Sequence, residues 1–81
     1  MDLDVLFFAS YRELVGTSSV RITLPVDATV SDLVEEVRAR GEGFSRLPDR
    51  PAVAVNRVVV PHAHLLESGD EVAFLPPVAG G

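Results

Sequence analysis

Apolar and polar positions alternate along most of this chain, and one stretch breaks the alternation with a helical spacing. Leu3, Val5 and Phe7 share one side of an extended run, with Asp4, Leu6 and Phe8 on the other. That pattern predicts a strand over 3–8 whose second face starts polar and turns apolar. Ser10-Tyr11-Arg12-Glu13 has the spacing of a capping box, and Gly16 stands where a helix-ending glycine belongs, so one or two helical turns are expected over 10–15. Val20, Ile22 and Leu24 alternate with Arg21 and Thr23 in a half-exposed strand that Pro25 ends. Val30, Leu33, Val34 and Val37 then follow i, i+3, i+4, i+7, the single apolar stripe of an amphipathic helix. Thr29 can cap its free N–H groups, Asp32 suits the positive end of its dipole, and Gly41 is a natural stop, which places the helix over 30–40.

Residues 42–51 carry Gly43, Pro48 and Pro51 among charged positions and read as a mobile loop. Two strands follow within 52–60, turning at Asn56-Arg57, where Asn tolerates a left-handed backbone. Glu67-Ser68-Gly69-Asp70 is a second turn. The last strand, 71–75, puts Val72 and Phe74 on one face and Ala73 and Leu75 on the other. One helix can cover one face of a four- to five-stranded mixed sheet, an α+β domain in two layers.

That arrangement leaves a surplus. Val5, Phe7, Ile22, Leu24, Val53, Val55, Val72 and Phe74 fill the helix-covered face, while Leu6, Phe8, Val59 and Leu75 have the opposite parity. Clustered, they make an exposed patch of a few hundred Å², the size at which patches imply a partner. Hiding about 300 Å² contributes on the order of 7 kcal/mol before the cost of association. The bland alternative is that Tyr11, Leu14 and the Leu65-Leu66 segment fold over this face.

Composition narrows the chemistry. The chain has 81 residues, a formal charge of −5 and no cysteine, which removes disulfides, thiolate metal sites and persulfides. Its seven cations are all arginines without a basic cluster, so a phosphate-tracking nucleic-acid surface is not expected. No run reaches the ~20 apolar residues of a membrane span. The acidic Met-Asp-Leu-Asp start lacks the basic region of a secretory signal, so a soluble, cytoplasmic protein is expected. His62 and His64 lack a third ligand for a metal site, Asp70-Glu71 reads as turn chemistry, and no serine stands in a nucleophile's arrangement.

The most unusual stretch is the last, Leu75-Pro76-Pro77-Val78-Ala79-Gly80-Gly81. Pro76 and Pro77 stiffen its base, and the two glycines leave its tip without side chains. From Pro76 onward it can extend roughly 20 Å at about 3.3 Å per residue, so residues 1–75 are expected to form the domain and 76–81 an extended flexible tail.

Val5-Leu6-Phe7-Phe8-Ala9, Arg12-Glu13-Leu14-Val15-Gly16, Thr29-Val30-Ser31-Asp32-Leu33, Ala54-Val55-Asn56, Gly69-Asp70-Glu71-Val72-Ala73 and the Pro-Pro-Val-Ala-Gly-Gly tail together resemble the MoaD/ThiS family of ubiquitin-like sulfur carriers. The Pro-Pro-Val step is similar to the branch that serves molybdopterin synthase. The resemblance implies a ubiquitin-like β-grasp, with the first and last strands parallel and adjacent. It implies that an E1-like, MoeB-like adenylyltransferase uses ATP and Mg2+ to adenylate Gly81, which then becomes a thiocarboxylate, with no cofactor bound permanently and no metal held. It implies a large, MoaE-like subunit, in a heterotetramer, that takes Pro76, Pro77, Val78, Ala79, Gly80 and Gly81 into its active site. That subunit would supply the catalytic side chains that pass sulfur to cyclic pyranopterin monophosphate. It also assigns Phe8, Val59 and Leu75 to the sheet face that both partners use. Three alternatives remain beside it: a carrier for thiazole or an amino acid, a modifier conjugated through Gly81, and an interaction module with incidental glycines.

Overall fold

The computed structural model describes residues 1–77. Five strands and three helices follow in the order β1 (Asp2–Phe7), α1 (Ala9–Val15), β2 (Ser19–Thr23), α2 (Val30–Arg38), α3 (Glu42–Ser45), β3 (Ala52–Val55), β4 (Val58–Val60) and β5 (Glu71–Leu75). The sheet order is β2-β1-β5-β3-β4, with β1 and β5 parallel and every other pair antiparallel. This is the ubiquitin-like β-grasp, a mixed sheet holding one main helix against one face.

The stripe on α2 explains the packing. Val30, Leu33, Val34 and Val37 are all buried, against Leu3, Val5, Phe7, Ile22, Val53, Val55, Val72 and Phe74 from the sheet. Phe7 stands at the centre, edge-on to Phe74 at 5.4 Å between ring centroids and to Phe44 at 5.9 Å. At its N-terminus α2 carries a reciprocal capping box: the Asp32 amide donates to Thr29 Oγ1 at 3.2 Å, and the Thr29 amide donates to Asp32 Oδ2 at 2.9 Å. The next two free amides, of Val30 and Ser31, donate to the carbonyls of His64 and His62, each at 3.0 Å. The His62–His64 segment is therefore a backbone cap on α2. His62 is also tied down, its Nε2–H donating to the Pro51 carbonyl at 2.6 Å.

Three local expectations are corrected. Ser10 caps nothing: α1 starts a residue earlier, with Phe8 at the N-cap and no side-chain cap bond, because the chain turns sharply through Ala9 at φ 46. Gly41 does not end α2, which closes at Ala39 in right-handed geometry; at φ 152, ψ −171 Gly41 is instead the corner that starts α3. Residues 42–51 form no plain loop. Leu47 is fully buried, Phe44 packs on Phe7, and the Arg38 Nε–H donates to the Leu47 carbonyl at 2.8 Å, so a short helix is pinned to the core by apolar residues that the prolines and charges around them obscure. By contrast Gly16 (φ 83), Asn56 (φ 50) and Gly69 (φ 87) adopt the left-handed conformations their residue types foretell, and Arg57 (φ 73) follows Asn56 through the turn.

Candidate functional site

The uncovered face of the sheet is polar at one end and apolar at the other, as the parity of β1 requires. At the β1–β2 end Asp2 accepts from the Thr23 hydroxyl at 2.8 Å, and Asp4 pairs with Arg21 at 3.1 Å, both in solvent. Such exposed pairs contribute little to stability, but they keep this end wet. Farther along, the register lines up Leu6 with Ala73, Ala73 with Ala54, and Ala54 with Val59. This row crosses four strands without a polar side chain. Its middle members are the two smallest, so the row is a trough with Ala73 and Ala54 as its floor and Leu6 and Val59 as its walls.

The trough is a cleft of about 460 Å³ lined by Leu6, Phe8, Ala54, Arg57, Val59, Glu71, Ala73 and Leu75. Phe8 is 46% exposed and Val59 68% exposed, large values for an apolar side chain of a small domain. Ala9, left-handed at φ 46, turns the chain out of β1 and leaves Phe8 standing at the rim. A left-handed alanine costs roughly 1–2 kcal/mol, strain of the kind that collects at functional positions. The structure thus brings Phe8, Val59 and Leu75 to one cleft. The segments that could have covered it are elsewhere: Leu66 is buried in the core, Leu65 is exposed, and Leu14 packs against the core cluster.

A second cleft, of about 490 Å³, opens on the other side of Leu75. Tyr11, Pro48, Arg50, Pro51, Ala52, Pro76 and Pro77 complete its walls. Pro76 and Pro77 therefore rest beside α1 and the segment before β3 as the chain leaves the sheet. Burial raises the Tyr11 phenol above its ordinary value of 10.0, so the hydroxyl stays protonated at neutral pH. Val78, Ala79, Gly80 and Gly81 lie outside the described residues.

Ala54, Arg57 and Glu71 were not singled out by the pattern, although they line the trough. Ala54 shares the parity of Leu75 through the β3–β5 register, a signal that exists only once the register is known. Arg57 and Glu71 look like ordinary turn and strand-start charges until the Asn56 side chain draws their segments together: its Nδ2–H donates to Asp70 Oδ1 at 2.9 Å and its Oδ1 accepts from the Glu71 amide at 3.0 Å. Among the described residues no group of three or more metal-ligating side chains occurs, and no helix is long and apolar enough to cross a membrane.

Comparison with known proteins gives this geometry its family. The model of the ThiS family matches residues 5–81, and the chain belongs to that family. It is 42% identical over 81 residues to the molybdopterin synthase sulfur carrier subunit of Escherichia coli, an alignment covering 98% of this chain and 99% of that one. It is 39% identical over 92 residues to small archaeal modifier protein 3 of Haloferax volcanii, over the full length of both. Among solved structures it superimposes on a provisionally assigned subunit 1 of the molybdopterin converting factor from Pyrococcus furiosus. That match has a TM-score of 0.83 and 35% identity, over 96% of this chain and 99% of the other.

Proposed function

We propose that the chain is the sulfur-carrier subunit of a molybdopterin synthase, working in the cytoplasm. The observation that carries this reading is the position of Leu75. It is the last residue of β5, it closes the apolar trough of Phe8 and Val59, and the Pro76-Pro77 stem departs from it. A protein that covers the trough thereby receives the tail. The name of the Escherichia coli relative, a carrier subunit, supports the same assignment.

The chemistry follows from what the tail can offer. A carboxylate is a poor acyl donor, so Gly81 is first joined to AMP by an E1-like adenylyltransferase at the expense of ATP with Mg2+, releasing pyrophosphate. A sulfur nucleophile then displaces AMP and leaves a thiocarboxylate. In the active site of the large subunit that sulfur passes to cyclic pyranopterin monophosphate, and Gly81 returns as a carboxylate. No side chain of the carrier needs to act as acid, base or nucleophile, which agrees with a chain that has no cysteine. Two glycines at the tip are what a narrow channel requires, since any Cβ adds width where the reacting carbon must pass.

The test is the intact mass of the full chain after incubation with its adenylyltransferase, ATP, Mg2+ and a sulfur donor. An oxygen-to-sulfur increase located at Gly81, and its loss on adding the large subunit with the pterin, are expected. An unchanged mass with an active adenylyltransferase overturns the reading. A second reading, a modifier joined through Gly81 to lysines of other proteins, is favoured by the likeness to the Haloferax volcanii modifier. It predicts covalent adducts of higher mass in place of the sulfur exchange.

A further inference from the structure

The cleft on the far side of Leu75 is not explained by the trough. Its walls are apolar, from Pro48, Pro51, Ala52, Leu75, Pro76 and Pro77, and they carry one charged side chain, Arg50. Among the described residues Arg50 has no ion pair or hydrogen-bond partner; the salt bridge found there joins Arg21 to Asp4. The Tyr11 hydroxyl also has no partner among the described residues, yet no buried polar atom is left unsatisfied, so it opens to solvent. A cleft with apolar walls, a donor-only guanidinium and a phenol hydroxyl carries a positive charge and no anionic side chain of its own. Its complement is an apolar side chain next to a carboxylate.

The geometry points to a second docking point at this cleft: the large subunit that covers the trough also places an acidic side chain against Arg50, flanked by an apolar contact on the Pro48–Pro51 and Pro76–Pro77 walls. The inference rests on the carrier reading and adds a partner contact to it. Two observations carry it. Leu75 lines both clefts, so a surface seated on the trough continues onto the stem. The chain is acidic overall, at −5, and a partner drawn to it by long-range attraction is basic. Against a basic partner Arg50 is a misplaced charge unless an acid meets it there. Such a pair fixes register, holding the stem at one angle to the sheet while the tail is engaged.

The sign of one substitution tests this. Calorimetric titration of the large subunit with the full-length Arg50→Glu chain is expected to show about tenfold weaker binding, with Arg50→Lys keeping most of the affinity. Arg46→Glu, an exposed arginine outside the cleft, is expected to leave affinity unchanged or tighten it, because it adds a negative charge facing a basic partner. Affinity of Arg50→Ala should also fall less steeply with added salt than that of the parent chain. Equal thermal unfolding midpoints for the four variants and the parent chain show that the effect is not one of folding. Unchanged or tighter binding by Arg50→Glu overturns the second docking point while leaving the carrier reading intact. Loss of the sulfur exchange in the parent chain would remove both.

Discussion

Asn56 and Asp70, fourteen residues apart, are joined side chain to side chain: Asn56 Nδ2–H donates to Asp70 Oδ1 at 2.9 Å. Asp70 is 8% exposed, and its other oxygen accepts from the Glu67 amide at 2.8 Å. Asn56 in turn accepts from the Glu71 amide with its carbonyl oxygen, and its own amide donates to the Glu71 carbonyl at 2.8 Å. The β3–β4 turn is thereby locked to the turn that launches β5, which sets where Val59 and Leu75 stand relative to each other. Asn56→Gly keeps the left-handed backbone and removes only the side chain. It is expected to lower stability by about 1–3 kcal/mol through the lost bonds and the orphaned Asp70 oxygen. Urea denaturation measures this, and a loss below a few tenths would show the lock to be ornamental.

Gly43 marks a close approach of α3 to α1. A Cβ on it would sit 2.5 Å from the Leu14 carbonyl oxygen and 3.1 Å from the Val15 Cα, both backbone atoms that cannot swing aside. Gly43→Ala should therefore push α3 off α1 and cost roughly 1–3 kcal/mol, despite the better helix propensity of alanine. A thermal melt equal to or above that of the parent chain would contradict the packing.

Phe8→Asp separates docking from folding. Phe8 stands at the N-cap of α1 with an extended backbone and no side-chain cap, a position that aspartate favours. Its unfolding midpoint is expected to be unchanged or slightly raised, while affinity for the large subunit falls by about two orders of magnitude, in the range of an interface hot spot. Unchanged affinity would remove the trough from the docking surface.

Tyr11 is the single tyrosine of the chain, so phenolate absorbance reports it alone. Desolvation raises its folded pKa above the ordinary 10.0. The folded state then holds the proton more tightly than the unfolded one. This contribution to stability is complete below pH 10 and is lost as pH rises through the folded pKa. An alkaline titration should give a native midpoint above 10.0 and an ordinary one in denaturing urea. A native midpoint at or below 10.0 would place the ring in water.

Adding one residue after Gly81, or deleting Gly81, should abolish sulfur transfer with the unfolding midpoint unchanged, since among the described residues every member of the core lies before Pro76. The readout is pterin product formed by the reconstituted synthase. Persistent product from either variant would overturn the carrier chemistry.

How much of this was legible in the chain follows from the range over which each signal acts. The α2 stripe, its Thr29 cap, the Asn56-Arg57 turn and the parity that left Phe8, Val59 and Leu75 without a core were all readable, because helix period, strand period and left-handed turns are set by neighbours a few residues apart. The family resemblance spoke for the tail in the same way, through adjacent residues. What the tertiary structure alone decided acts across the sheet. Ala54 and Ala73 became the floor of a trough only when register set them side by side between Leu6 and Val59. The segment 42–51 became a short helix, α3, and a pinned turn because Phe44 and Leu47 found Phe7 and the Arg38 face of α2, contacts no local spacing encodes. Arg50 became a lone cation in an apolar cleft because folding carried Pro76 and Pro77 to its side. Local geometry is written residue by residue, whereas a surface is assembled from segments whose proximity is a property of the whole fold.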